Sequence, residues 1–500
     1  MNPVKLAITF SLFLSLFLLA DDTKTLTIFS TSDIHSSLSN DGNRGSWLKV
    51  GSLLKKHRPK ELMDQSLLID CGDTIQGTIY GYYSRGEAEM TLLEAMQYDA
   101  WVPGNHELDW GIERLKYLTK KCEVPILNGN FSINGEKAFP AYRIYKKAGL
   151  KVALIGMNTS WLNHWYIGKR FDGFKVVSAR KILLKILPEV QSHKPDFIIL
   201  AAHQGYVERG KSRENEIKEI AREFPQINLI LGGHTHRNFP GARLYSSWYV
   251  QPSAYGAVMS KVVVTFNKKT NKLINMESSL LGSASMKEDP DLKKLIQPVL
   301  DKVKVESRKV VTQVPKYVSA KNVPGLKCRI SYALQEAAVL RTKADAALLA
   351  RVSNYYWNKG KLTVQDIFRT IPYENYLYTI KLTQAELKSV IEEQLKYYKH
   401  RSFNGIYGIK TVIDIKNKRV LALDFPKDKK EITLVLSSYT AASGGGRFPI
   451  LNELVKRKGF KDSGFSSRNT LIWYLQKNLD WYESFKPYFQ VKEKAAQKQP

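Results

Sequence analysis

Short apolar runs that end in clusters of Asp, His, Asn and Gly constrain this chain more than any other feature. Leu26-Thr27-Ile28-Phe29 runs into Ser32-Asp33-Ile34-His35, and Ser66-Leu67-Leu68-Ile69 runs into Asp70-Cys71-Gly72-Asp73-Thr74. Ala100-Trp101-Val102 leads into Pro103-Gly104-Asn105-His106-Glu107-Leu108-Asp109, Phe197-Ile198-Ile199-Leu200 into Ala201-Ala202-His203, and Leu229-Ile230-Leu231 into Gly232-Gly233-His234-Thr235-His236. Such runs read as strands and the longer amphipathic or polar stretches between them as helices and loops, the pattern of an α/β layered domain. Ligands of open α/β sheets collect at the carboxyl ends of strands, where each of these clusters falls.

The chemistry of the clusters is coherent. Asp33 and His35, like His234 and His236, are spaced i, i+2, which puts both on one face of an extended segment. Carboxylate, imidazole and amide oxygen together suit a borderline divalent metal such as zinc, manganese or iron, whereas an all-oxygen set would suit magnesium or calcium. Taken alone, Asn105-His106-Glu107 at a strand end reads more readily as a turn with a helix cap. The agreement among clusters decides the matter, because five of the nine histidines lie in them. Asp109, three residues after His106, is placed to fix its tautomer.

The 500 residues exceed what one core usually serves, so two domains are expected. Residues 6–20 form an apolar run too short for a comfortable membrane span and followed by Asp21 and Asp22. They read as a secretory signal cleaved near Ala20, with an uncleaved anchor as the alternative. Three cysteines, Cys71, Cys122 and Cys328, are too few for a disulfide scaffold. The 76 Lys and Arg against 47 Asp and Glu give a formal charge of +29, which fits nucleic acid, an anionic membrane surface or an anionic substrate. The basic residues are scattered, without a basic helix or a nucleic-acid signature, so a basic exported protein whose field favours small anions is the reading, with no polymer partner.

Asp33-x-His35, Gly72-Asp73, Gly104-Asn105-His106-Glu107, His203 and Gly233-His234-x-His236, in this order, resemble the calcineurin-like metallophosphoesterases. More narrowly, Gly72-Asp73-Thr74-Ile75-Gln76-Gly77 and the run from Gly104 through Leu108-Asp109-Trp110-Gly111 resemble the exported branch of 5′-nucleotidases and 2′,3′-cyclic-nucleotide 2′-phosphodiesterase/3′-nucleotidases. The resemblance implies two divalent ions (Zn, Mn, Co or Fe): Asp33, His35 and His236 would hold one, Asn105, His203 and His234 the other, and Asp73 would bridge them. It also implies attack on phosphorus by a metal-bridging hydroxide, with His106, held by Asp109, donating to the developing charge. Glu107 receives no chemical role and reads as a first-turn helix carboxylate.

The implied fold is an N-terminal sandwich of two sheets flanked by helices, residues 21–285, and a C-terminal α+β substrate-binding domain, residues 313–490. Residues 286–312 read as a solvated linker helix between them, and residues 491–500 as a polar tail. In the second domain Thr383-x-x-Glu386 reads as a capping box opening a helix after the strand Tyr376 to Leu382. Here Ala344-Asp345-Ala346-Ala347-Leu348 continues as Leu349-Ala350-Arg351, without the glycines that many 5′-nucleotidases carry, while the run from Ser438-Tyr439 through Gly444-Gly445-Gly446-Arg447 looks more like the cyclic-phosphodiesterase subgroup. The resemblance places base-stacking rings at Phe403 and Tyr439, and assigns Gly444, Gly445 and Arg447 to the nucleotide substrate. A non-catalytic nucleotide-binding protein, a nucleotide-sugar diphosphatase and a thiosulfohydrolase of the same superfamily are the competing readings.

Overall fold

The computed structural model describes residues 22–39, 45–209, 212–350, 353–400 and 403–492. The proposed signal at 1–20, Arg351 and the tail beyond residue 492 lie outside them. The chain forms two compact units. The first holds the described residues up to Gln76 with Tyr80–Asn163 and Asp172–Leu300; the second holds Gly77–Ile79, His164–Phe171 and Asp301 onward. Nothing in the sequence signals the two short excursions.

The first unit is built on two sheets. One runs in the order Leu273–Gly282, Val258–Asn267, Thr23–Thr31, Ser66–Asp70, Ala100–Trp101, with the last three parallel. The other runs Phe239–Leu244, Ser247–Gln251, Leu229–Leu231, Phe197–His203, Leu150–Asn158, Tyr142–Lys147, parallel in its middle four strands and antiparallel at both edges. The inner strands Ser66–Asp70, Leu150–Asn158, Phe197–His203 and Leu229–Leu231 are largely apolar because both their faces are buried. Phe197, Ile199 and Ala201 point into a core shared with Leu26, Ile28, Leu67, Ile69 and Val262 of the other sheet. Ile198, Leu200 and Ala202 point the opposite way, into a core with Leu183, Leu187 and Val190 of the helix Ala179–Ser192 and Ile217 and Ile220 of the helix Ile217–Glu223. On the far side, the helix Trp47–His57 buries Trp47, Leu48, Val50, Leu53 and Leu54. This is the expected sandwich of two sheets flanked by helices.

The second unit packs a four-stranded sheet, Ala346–Leu348, Ile432–Ser437, Tyr376–Leu382, Lys461–Ser466, and a three-stranded sheet, Arg419–Leu423, Thr411–Asp414, Phe489–Val491, around one core. The capping box at Thr383 and Glu386 is present, and Thr363 with Asp366 forms a second. Residues 286–312 differ from a single solvated helix. They form two helices, Pro290–Leu295 and Gln297–Glu306, and Pro298, which has no N–H to donate, sits at the start of the second. The first is packed: Leu292 is buried against Gly51, and Lys55 pairs with Asp289 and Asp291 at 2.7 Å. Val310–Val314 is already a strand, paired with Gly360–Thr363, and Val491 of the expected tail pairs with Ile413. None of Cys71, Cys122 and Cys328 forms a disulfide.

One buried acid in the first unit costs stability. Glu89, on the helix Glu87–Ala95, is 0% exposed and accepts from Ser84 Oγ at 2.5 Å, and burial pushes its carboxyl from 4.5 up to about 7. Below pH 4.5 folded and unfolded chains both hold the proton; between 4.5 and 7 only the folded chain keeps it, so stability falls with rising pH and the loss is complete above about 7. The full shift corresponds to about 3 kcal/mol. Glu89→Gln is therefore expected to melt several degrees above the wild type at pH 8 and at nearly the same temperature at pH 4.5, as read by thermal denaturation.

Candidate two-metal active site

All seven proposed ligands and His106 stand on loops that leave the carboxyl ends of strands in the first unit. At five of them the chain turns sharply by entering the left-handed region: φ is 54° at Asp33, 50° at His35, 55° at Asp73, 71° at His234 and 55° at His236. Asp and His tolerate this better than most residues, but five such positions in one site mark stored strain. The turns also interlock. Gly72 (φ 90°) and Gly104 lie so close that a Cβ on Gly104 would sit 2.5 Å from both the Asp73 nitrogen and Oδ1, and 2.8 Å from His203 Cε1. Only glycine lets these two loops meet.

Two donor clusters share Asp73. Donor atoms of Asp33, His35, Asp73 and His236 lie within 4.8 Å of one another, as do those of Asp73, His203 and His234. His35 Nδ1 donates to the Gln76 carbonyl at 2.7 Å, which turns its Nε2 lone pair toward His236 Nε2 at 2.9 Å. His236 Nε2 lies 3.3 Å from Asp33 Oδ1. His203 Nδ1 likewise donates to the Cys71 carbonyl at 2.7 Å, so its Nε2 faces Asn105 Oδ1 at 3.0 Å and Asp73 Oδ2 at 3.1 Å. The His234 ring packs edge-on at 5.2 Å from that of His203. Acceptors that converge in this way require a cation, either a proton or a metal ion, and the mixed N/O donors fit a borderline divalent metal.

The charges agree. Burial and the neighbouring His236 push His35 down to about 3, leaving it neutral and able to donate a lone pair. Burial also opposes charging His203, but Asp73 outweighs it and raises His203 to about 9. Asp33 is held below the usual carboxylate range and Asp73 well below it, each by facing histidines that overcome the effect of burial. His106 is distinct. Its ring lies 5.2 Å from His35, its Nε2 is 4.0 Å from Asp73 Oδ2, and its Nδ1 donates to Asp109 Oδ2 at 2.9 Å. Although burial disfavours its charge, the Asp109 and Asp73 carboxylates raise it to about 10, so it is an imidazolium with one N–H to offer.

Glu107 does stand in the first turn of a short helix, His106–Leu108, but it does more than cap that turn. It is 1% exposed and accepts from the main-chain N–H groups of Asp73, Thr74, Ile75 and Gly104 at 2.5–3.2 Å. It thereby ties the turn carrying Asp73 to the turn carrying Asn105 and His106. Behind it, Asn158 Nδ2 donates to the carbonyls of Pro103 and Gly104 at 2.7 and 2.9 Å, and Asp70 accepts from Thr31, Thr74 and Gly72. Neither Asn158 nor Asp70 carries a sequence signal beyond its place at the end of a strand; Glu107 lies inside the motif, and its role was hidden by the assumption of a regular helix start.

The substrate residues of the second unit divide. Phe403 is 0% exposed in the core, with Tyr398 and Phe489 rings at 5.4 and 5.6 Å, so it has no face for a base; the expectation of a stacking ring there is corrected, its apolar neighbours having claimed both sides. Tyr439 is 43% exposed on the short helix Ser438–Ala441. Gly444 is buried beneath it, and a Cβ there would lie 2.2 Å from the Tyr439 ring. Gly445 has φ 64°, and Arg447 reaches the Tyr439 hydroxyl at 3.5 Å.

Residues 26–238 match the calcineurin-like phosphoesterase family, and residues 309–453 match the 5′-nucleotidase C-terminal domain. The chain is 24% identical to the 5′-nucleotidase of Vibrio cholerae, over 92% of this chain and 91% of that one. It is 23% identical to the trifunctional nucleotide phosphoesterase YfkN of Bacillus subtilis, over 90% of this chain but only 38% of that protein's length. Among solved structures, a candidate 5′-nucleotidase of Staphylococcus aureus superposes with a TM-score of 0.81 at 21% identity, covering 94% of this chain and all of that one. The sulfate thiohydrolase SoxB of Thermus thermophilus follows the same fold with a TM-score of 0.63 at 16% identity, covering 94% and 97%. Among the described residues no helix is long and apolar enough to cross a membrane.

Removing the Glu107 carboxylate leaves four buried N–H donors without it. Glu107→Ala is expected to destabilise the metal-free protein by at least about 3 kcal/mol and to lower its metal content, with Glu107→Gln, which keeps one accepting oxygen, in between. Denaturant titration and elemental analysis of the purified variants check both; full metal content in a stable Glu107→Ala would show that the tie is dispensable.

Proposed function

We propose that this chain, which belongs to the calcineurin-like phosphoesterases that carry a 5′-nucleotidase C-terminal domain, hydrolyses phosphate esters of nucleotides, with 2′,3′-cyclic nucleotides and 3′- or 5′-nucleotides as the substrate class. The observation that carries the reading is the pair of donor clusters sharing Asp73, with a charged His106 beside them. Asp33, His35 and His236 would hold one divalent ion and Asn105, His203 and His234 the other, with Asp73 between; bound there, such ions polarise phosphoryl oxygens and make a water nucleophilic at neutral pH.

The chain's own residues supply the rest. His106 is fixed by Asp109 so that its remaining N–H points to where negative charge grows on the phosphoryl group or the leaving oxygen, and its raised pKa keeps that proton in place across the neutral range. The glycines at 72 and 104 let the turns close around this point without side chains in the way. In the second unit, the exposed Tyr439 ring beside Arg447 offers a stacking face to any base and a positive group to an anionic substrate. The run through Gly444-Gly445-Gly446-Arg447 favours the cyclic-phosphodiesterase subgroup, and the apolar run 6–20 supports export.

The decisive assay uses purified protein with manganese, zinc or cobalt against 2′,3′-cyclic AMP, 3′-AMP, 5′-AMP and bis-p-nitrophenyl phosphate. His106→Asn is expected to keep its metals while losing about 10²–10⁴ in kcat. Loss of metal together with activity would make His106 a ligand instead. Tyr439→Ala should raise the KM for nucleotides several-fold and leave bis-p-nitrophenyl phosphate, which has no base, nearly untouched; equal losses on both would assign Tyr439 to the fold.

A further inference from the structure

Residues 254–257 turn the chain from the strand Ser247–Gln251 of the six-stranded sheet into the strand Val258–Asn267 of the five-stranded one. The turn is closed by Ala257 N–H donating to the Ala254 carbonyl at 3.2 Å, and both central residues have positive φ, 60° at Tyr255 and 63° at Gly256. This mirror-image turn favours Gly, Asn or Asp at both centres. Gly256 fits it, and a Cβ there would meet the Ser46 main chain at 2.9–3.0 Å. Tyr255 does not, because a bulky side chain in the left-handed region is a true outlier and persists only where its surroundings require it.

The surroundings are one half of the metal site. The Tyr255 ring lies 5.5 Å from that of His35, tilted by 36°, and 5.8 Å from that of His236, nearly perpendicular at 80°. Its main-chain N–H donates to the Asp33 carbonyl at 2.8 Å. One residue therefore touches Asp33, His35 and His236, the three that with Asp73 form the first donor cluster. The ring is 37% exposed, so core burial does not explain its presence.

We propose that Tyr255 is a positioning residue for this one metal position. Its ring is a wall that fixes the planes of the His35 and His236 imidazoles so that their Nε2 atoms converge, and the N–H to Asp33 anchors that wall to the same loop. The ring, not the hydroxyl, does this, and the strained turn is retained because it alone brings an aromatic face to both histidines. Partners that orient metal ligands in this way are typically worth 10–100-fold in metal affinity. The inference rests on the two-metal reading of the site.

The test titrates metal-free wild type, Tyr255→Phe and Tyr255→Gly with Co²⁺, by calorimetry and visible absorption, and compares the melting temperatures of the metal-free forms. Tyr255→Gly relieves the left-handed strain, so its metal-free form is expected to melt at or above the wild type. One of its two Co²⁺ binding steps should weaken at least about tenfold with a changed visible band while the other stays as it was, and Tyr255→Phe should match the wild type throughout. Wild-type affinities and spectrum in Tyr255→Gly would overturn the proposal, as would a lower melting temperature of its metal-free form, which would make the ring a structural prop. An equal loss in Tyr255→Phe would assign the effect to the hydroxyl and overturn it too. Failure of the wild type itself to take up two Co²⁺ would bring down the two-metal reading and this inference with it, a result distinct from the other three.

Discussion

The site depends on a carboxylate that touches no substrate. Glu107 gathers four main-chain N–H groups from two loops that belong to different strands, and it does so with 1% exposure. Burial and the neighbouring Asp73 raise its carboxyl to about 7, and a buried carboxylate is tolerable only when it is satisfied in this way; each donor it accepts also fixes a peptide plane. Those planes carry Asp73, which both clusters share, and lie beside Asn105 and His106, the proposed further ligand and proposed proton donor. If the two turns shifted relative to each other, every distance around Asp73 would change at once.

Strain is the second organising fact. Five ligand positions and Tyr255 adopt left-handed backbone, and none of them is glycine. The sandwich can sustain this because the strands behind the loops are buried on both faces, in the two cores that share the six-stranded sheet. Rigid strands deliver the loops, the loops turn back sharply, and the side chains converge with lone pairs facing lone pairs. Burial and the local field together explain the opposite fates of two neighbouring histidines: His35, buried and beside His236, falls to about 3, whereas for His106 the Asp109 and Asp73 carboxylates overcome burial and raise it to about 10. A neutral imidazole and a charged one, the proposed ligand and the proposed donor, thereby stand with ring centres 5.2 Å apart.

The second unit is held by a different logic. Its core includes Phe403, whereas Tyr439, propped on Gly444, is exposed. In the proposed function such a ring would accept any base and so set substrate class, while the proposed metal site would set the reaction.

The sequence by itself determined the layered α/β fold and its inner strands, because continuous apolar runs fit a sheet buried on both faces, and it singled out the proposed donors with His106 and Asp109, because metal-binding residue types gathered at strand ends are uncommon by chance. It also placed the capping box at Thr383, a signal local to four residues. Tertiary structure alone decided what depends on neighbours distant in the chain. Glu107 looked like a helix-start carboxylate until the turn at residues 72–75 was brought against it, and Tyr255 lay outside every motif until its turn met Asp33. Phe403 looked like a stacking ring until Tyr398 and Phe489 closed over it. Residues 286–312 looked like one solvated helix until the packing of Leu292 on Gly51 took its first part out of solvent. Periodicity and residue chemistry are properties of a segment and can be read from it, whereas burial and main-chain hydrogen bonding between loops belong to pairs of segments and exist only once the fold has brought them together.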